Sequence, residues 1–79
     1  GDQEENMKKR ETLNGLVVAA LETSGPMKAN RLYGKIMADH PEVMRSEKVE
    51  AFKSFVQVLN QFGGVERVPG DRYAKSKNL

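Results

Sequence analysis

The pair Gly63-Gly64 separates two kinds of hydrophobic periodicity, and this division constrains the fold more than any other feature of the chain. Upstream of it, apolar residues recur at steps of three and four, the repeat of one helical face. Leu13, Leu16, Val17, Ala20 and Leu21 form the first such stripe. It predicts a helix that starts between Met7 and Arg10 and stops before Ser24-Gly25-Pro26, where glycine supplies a left-handed end and proline cannot continue the ladder. Leu32, Tyr33, Ile36 and Met37 form a second stripe, with Asn30 as its expected cap, Met27 as a hydrophobic staple and Pro41 as its end. Pro41 is also expected to open a single helical turn. A third helix, capped by Ser46, carries Val49, Phe52, Phe55, Val56, Leu59 and Phe62. Downstream of the glycines the pattern becomes strand, turn, strand: Val65 and Val68 flank a polar pair, Pro69-Gly70-Asp71 has turn chemistry, and Tyr73 suits a pleated face.

Helix, helix, helix and hairpin is the order of a small winged helix, an α+β fold in which the hairpin is the wing and the third helix holds the recognition position. A plain three-helix bundle would leave Val65 to Tyr73 without a role. The chain has 79 residues and no cysteine, so it forms one domain and has neither disulfides nor a thiolate metal site to reinforce a modest core. Residues 1–6 contain no apolar side chain and are expected to form a mobile leader, followed by the domain at 7–77 and a tail at 78–79. Gly1 in place of an initiator Met is what a segment of a larger protein would show. The expected core is Leu13, Leu16, Val17, Leu21, Leu32, Ile36, Phe52, Phe55, Val56 and Leu59.

Catalysis is not expected. His40 is the only histidine, it has no cysteine partner, and beside Pro41 it is placed to face water or the helix dipole. Ser24, Ser46, Ser54 and Ser76 have only that histidine to activate them. Gly63-Gly64 and Gly70 lead into no helix and precede no Lys-Ser/Thr pair, so they do not make a phosphate loop. The paired carboxylates, Glu4-Glu5 and Glu47/Glu50, have no apolar pocket suggested around them that would raise a pKa. Neither a cofactor, a metal nor a small-molecule substrate is implied. With no membrane-length apolar run and no signal-peptide core, an intracellular location, cytoplasmic or nuclear, is expected.

Thirteen Lys and Arg against eleven Asp and Glu leave a net charge of +2, too little to coat nucleic acid by charge alone. The excess lies toward the C-terminus, where residues 46–79 carry six cations and four anions. On the third helix, the side opposite Phe52, Phe55 and Leu59 presents Glu50, Lys53, Ser54, Gln57 and Gln61. The wing and tail add Arg67, Arg72, Lys75 and Lys77, long cations on a protruding hairpin, where phosphate contacts are usual. Lys53, Ser54, Gln57, Arg67, Arg72, Lys75 and Lys77 are therefore the candidate nucleic-acid-binding residues, set against the plainer view that hairpin charges form a solvated surface. Lys8, Lys9 and Arg10, with Glu11 beside them, fit a solubilising helix start. The competing function is protein binding, with the same scaffold presenting an apolar or mixed groove. Glu47 and Glu50 at the start of the third helix repel phosphate and keep that alternative open.

The segment from Leu13 to Lys75 resembles the LOTUS domain, the OST-type helix-turn-helix of germline and RNA-regulatory proteins. Leu13 to Ala20 is similar to that family's opening helix and Leu32-Tyr33 to its second. Ala51-Phe52-Lys53-Ser54-Phe55 with Val58-Leu59 is similar to its third, where the family usually has Gly-Phe and spaced leucines, and Val65 to Tyr73 to its closing hairpin. Ala51 stands where that glycine would be, and the segment from Pro41 to Lys48 is long. The resemblance implies a non-enzymatic module that binds RNA, G-rich structures included, within a larger regulatory protein. An extended subgroup docks on a DEAD-box helicase through a further helix after the wing. The chain ends at Leu79, so that helix is not expected here.

Overall fold

The computed structural model describes residues 2–77, with side chains from Lys8 onward. Within them the chain forms α1 (Asp2–Ser24), β1 (Met27–Lys28), α2 (Ala29–Asp39), the single turn α3 (Pro41–Met44), α4 (Val49–Gln61), β2 (Val65–Val68) and β3 (Arg72–Lys75). The fold is α+β, with the helix and hairpin order of a small winged helix. The expected tail at 78–79 and Gly1 of the leader lie outside the described residues.

Helix α1 begins at Asp2, so it takes in residues 2–6 and starts earlier than the sequence predicts. The missing apolar stripe is no bar, because Gln and Glu are good helix formers and can extend a helix whose downstream half is anchored by packing. Leu13, Val17 and Leu21 supply that anchor, all of them buried. The helix stops at Gly25, whose φ of +82° turns the chain toward Pro26.

The caps expected for the next helices are corrected. Lys28 occupies the N-cap of α2 and Lys48 that of α4, neither with a side-chain capping bond. Asn30 lies inside the first turn of α2, and the Ser46 hydroxyl instead accepts a hydrogen bond from Lys9 Nζ at 3.0 Å. Met27 keeps the staple position, N′ before Lys28 with Leu32 at N4 and both in the buried core, and it is at the same time a strand residue paired with Tyr73. At the far end of α4, Gly63 and Gly64 donate to the carbonyls of Asn60 and Leu59 at 3.3 and 2.9 Å, and Gly63 has φ +87°. This is the paired bonding of a Schellman motif, and it ends the helix before β2.

The sheet is antiparallel with order β1-β3-β2, so the wing is a hairpin joined on its far side by the two-residue strand β1. Arg67 faces Tyr73 across β2 and β3, and Lys28 faces Arg72 across β1 and β3. The tight connection at Pro69-Gly70-Asp71 places both Gly70 and Asp71 at positive φ, +87° and +56°. Asn60 Nδ2 donates to the Val65 carbonyl at 3.1 Å and ties the sheet to the end of α4.

The core joins Leu13, Val17, Leu21, Leu32, Ile36, Phe52, Val56 and Leu59 to four residues absent from the expected set: Met27, Met44, Val65 and Tyr73. Leu16 and Phe55 are only partly buried and pack on its edge. Phe62, assigned to the apolar stripe by its spacing, is 84% exposed, because it caps α4 where the chain leaves the helical path.

Candidate functional site

On α4 the inward set of Phe52, Val56 and Leu59 fixes the helix rotation. Lys53 and Gln57, four residues apart, therefore share an adjoining strip. That strip forms one wall of a groove of about 300 Å³. Arg67 and Asp71 from the hairpin make the second wall, and Lys28 and Asn30 at the start of α2 the third, with Tyr73 among the lining side chains.

Three cations and one carboxylate line this groove. Arg67 Nη2 is bonded to Asp71 Oδ1 across the turn, an exposed pair that a phosphate can compete with. The side chains of Lys28 and Lys53 have no hydrogen-bond or ion-pair partner among the described residues. The groove can thus offer the ammonium group of Lys53, a guanidinium with a weak internal partner, and the amides of Asn30 and Gln57, with Lys28 at its rim, where its side chain leaves the same sheet face as Arg72. These groups match a phosphodiester backbone with polar base edges beside it.

Of the seven residues that the sequence nominates, the fold brings Lys53, Gln57 and Arg67 together. Ser54 lies about 100° further round α4 and lines a different depression with Arg10, Glu47, Phe55 and Val58. Arg72 belongs to a hollow beside α2, with Nε donating to the Pro69 carbonyl at 3.0 Å. Lys75 is paired with Glu22 of α1 at 3.5 Å, and Lys77 is exposed beyond β3 and lines neither surface. The sequence missed Lys28 and Asn30. A lysine immediately before an apolar stripe is the available signal, but only the pairing of β1 with β3 carries it to the hairpin.

His40 Nδ1 lies 3.6 Å from Glu42 Oε1 at the α2–α3 junction and is not among the residues lining the groove. Among the described residues no group of three His, Cys, Asp or Glu side chains is placed to hold a metal ion, and no helix is long and apolar enough to cross a membrane. No family model, curated protein or solved structure matches the chain.

Proposed function

We propose that this chain is a non-enzymatic nucleic-acid-binding module that uses α4 and the wing, with RNA favoured over DNA, as part of a larger regulatory protein. The observation that carries this reading is the convergence of Lys28, Lys53 and Arg67 from three elements on one groove, two of them without a competing partner. The outward surface of α4 argues for RNA. Its exposed residues are Glu50, Ala51, Ser54, Gln57, Val58 and Gln61, which include an acid and no cation and are poorly suited to lying in the phosphate-lined major groove of duplex DNA. A single strand or loop needs only a cationic track and groups that meet unpaired bases. The resemblance to the LOTUS domain supports the same choice.

Titration of labelled single-stranded RNA, structured RNA and duplex DNA, followed by anisotropy and amide shifts, tests this function. Lys53→Ala and Arg67→Ala should each weaken binding to all sequences alike and make the salt dependence shallower by about 0.7 on a single strand. Gln57→Ala should instead change base preference at constant salt slope. Binding by the Lys53/Arg67 double alanine variant equal to that of the parent would remove the groove from the mechanism.

A second reading, protein docking by the same scaffold, draws on one observation: Val58 and Phe62 of the α4 region are 41% and 84% exposed. It predicts no nucleic-acid titration at physiological salt, and shifts confined to that apolar surface when a protein partner is supplied.

A further inference from the structure

Beside the groove, on the other side of β1, a second hollow of about 750 Å³ lies between α2, the end of α1 and the sheet. Its described lining residues include Lys28, Arg31, Lys35 and Arg72, with Ser24 beside them and no carboxylate among them. Two features of the fold gather these cations. Arg31 and Lys35 are four residues apart on α2, whose buried side is held by Leu32 and Ile36. Lys28 and Arg72 are cross-strand partners, so they leave the same face of the sheet.

The cations are only partly compensated. Lys35 reaches Asp39 at 3.5 Å, but Asp39 stands outside the lining. Arg72 is anchored through Nε to the Pro69 carbonyl, which leaves its terminal nitrogens free to donate. Lys28 and Arg31 have no ion-pair partner among the described residues. Four like charges around one hollow repel one another, and an anion placed among them relieves that repulsion. Lys28 also lines the α4–wing groove, so the two surfaces are joined at a shared residue.

We infer that this hollow is a second phosphate subsite, and that a single RNA strand leaving the α4–wing groove crosses β1 at Lys28 and lays its backbone against Arg31, Lys35 and Arg72. The inference rests on the nucleic-acid reading and extends the contact surface to a face that α4 does not reach. Charge without base-edge amides makes this a positioning contact that adds affinity and length to the bound strand rather than sequence preference.

Gly34 allows a direct test, because it lines the hollow and a Cβ built there meets nothing within 4 Å. Gly34→Glu puts a carboxylate among the cations, Gly34→Gln is its uncharged steric control, and both replace a helical glycine by a better helix former. Arg45→Ala removes one positive charge outside both surfaces and controls for net charge. Labelled single-stranded RNA of about 16 nucleotides is titrated over a salt series, with amide spectra confirming the fold of each variant. Expected is binding at least about fivefold weaker for Gly34→Glu than for Gly34→Gln, with Arg45→Ala close to the parent. The Arg31/Lys35 double alanine variant should have a salt slope shallower by about 1.4. Equal binding by the Glu and Gln variants, or an equal loss in Arg45→Ala, overturns the subsite. If the Lys53/Arg67 double alanine variant weakens in the same series while the two Gly34 variants match, the subsite fails and the groove stands. Absence of any salt-dependent titration by the parent defeats the nucleic-acid reading and the subsite with it.

Discussion

Phe52 is fully buried, and its ring meets that of Tyr33 edge-on at 5.5 Å with the planes 62° apart. Phe55, one turn's shift away on the same helix, is only partly covered. The consequence for stability is unequal. Phe52→Ala should cost about 3–5 kcal/mol in urea melts, transfer and cavity terms together, whereas Phe55→Ala should cost clearly less. A larger loss at Phe55 than at Phe52 would mean that α4 turns a different face inward. Tyr33 has a second role at its polar end, where its hydroxyl donates to the Glu47 carbonyl at 2.7 Å. Tyr33→Phe keeps the ring contact and strands that carbonyl, so a loss of about 1 kcal/mol is expected in the same melts. The Tyr33 contact to the α3–α4 connection could not be read from spacing, since the two residues are distant in sequence and meet only after α2 and α4 pack.

Among the elements, two glycines show how one substitution can change sign with backbone conformation. Gly34 is in the body of α2, where a Cβ meets nothing within 4 Å, so Gly34→Ala should stabilise the protein by about 0.5–1 kcal/mol. Gly63 is equally unhindered, but its φ of +87° is a left-handed conformation that alanine adopts at a cost. Gly63→Ala should therefore destabilise by about 1–2 kcal/mol. Opposite shifts of the thermal midpoint would check both at once, and equal shifts would contradict the Schellman ending of α4. The helix stop at Gly63-Gly64 was legible because glycine chemistry is local. The helix starts were not: Lys28 and Lys48 serve as N-caps without any side-chain bond, so the polar residues that looked like caps, Asn30 and Ser46, had no compulsion to act as such. Strand β1, with only Met27 and Lys28, is too short to leave a periodic signal and exists through its pairing with β3.

Across the whole molecule, contacts between distant segments hold α1 against the rest. Lys9 bonds Ser46 Oγ at 3.0 Å and Glu47 Oε2 at 3.2 Å, linking the first helix to the connection before α4. Lys75 reaches Glu22 at 3.5 Å and links the wing to the other half of α1. Both pairs lie near the surface, are weak individually and are screened by salt, Lys9–Glu47 less so because the Glu47 side chain is only 15% exposed. Lys9→Met should lower stability by less than about 1 kcal/mol at low ionic strength, and the difference should shrink further in about 1 M salt. A loss that salt does not reduce would show that the Lys9 stem, rather than its charge, holds the junction. The apolar ties are stronger: Met27, Val65 and Tyr73 bury one face of the sheet against the helices, so the wing base is part of the core.

The sequence by itself determined the helix stripes, the hairpin after Gly63-Gly64 and hence the α+β winged-helix order, because periodicity and turn chemistry act over a few neighbouring residues. It also located Lys53, Gln57 and Arg67, whose strip and hairpin positions follow from the same local rules. Only the tertiary structure decided which charges share a surface. Ser54 is adjacent to Lys53 in the chain yet lies on another face, while Lys28 joins Arg67 in one groove and Arg72 in the other through a strand of two residues. Burial of Met44 and exposure of Phe62 were settled in the same way. The physical reason is that helix rotation and sheet register are fixed by the summed packing of the core, a sum that no segment contains alone.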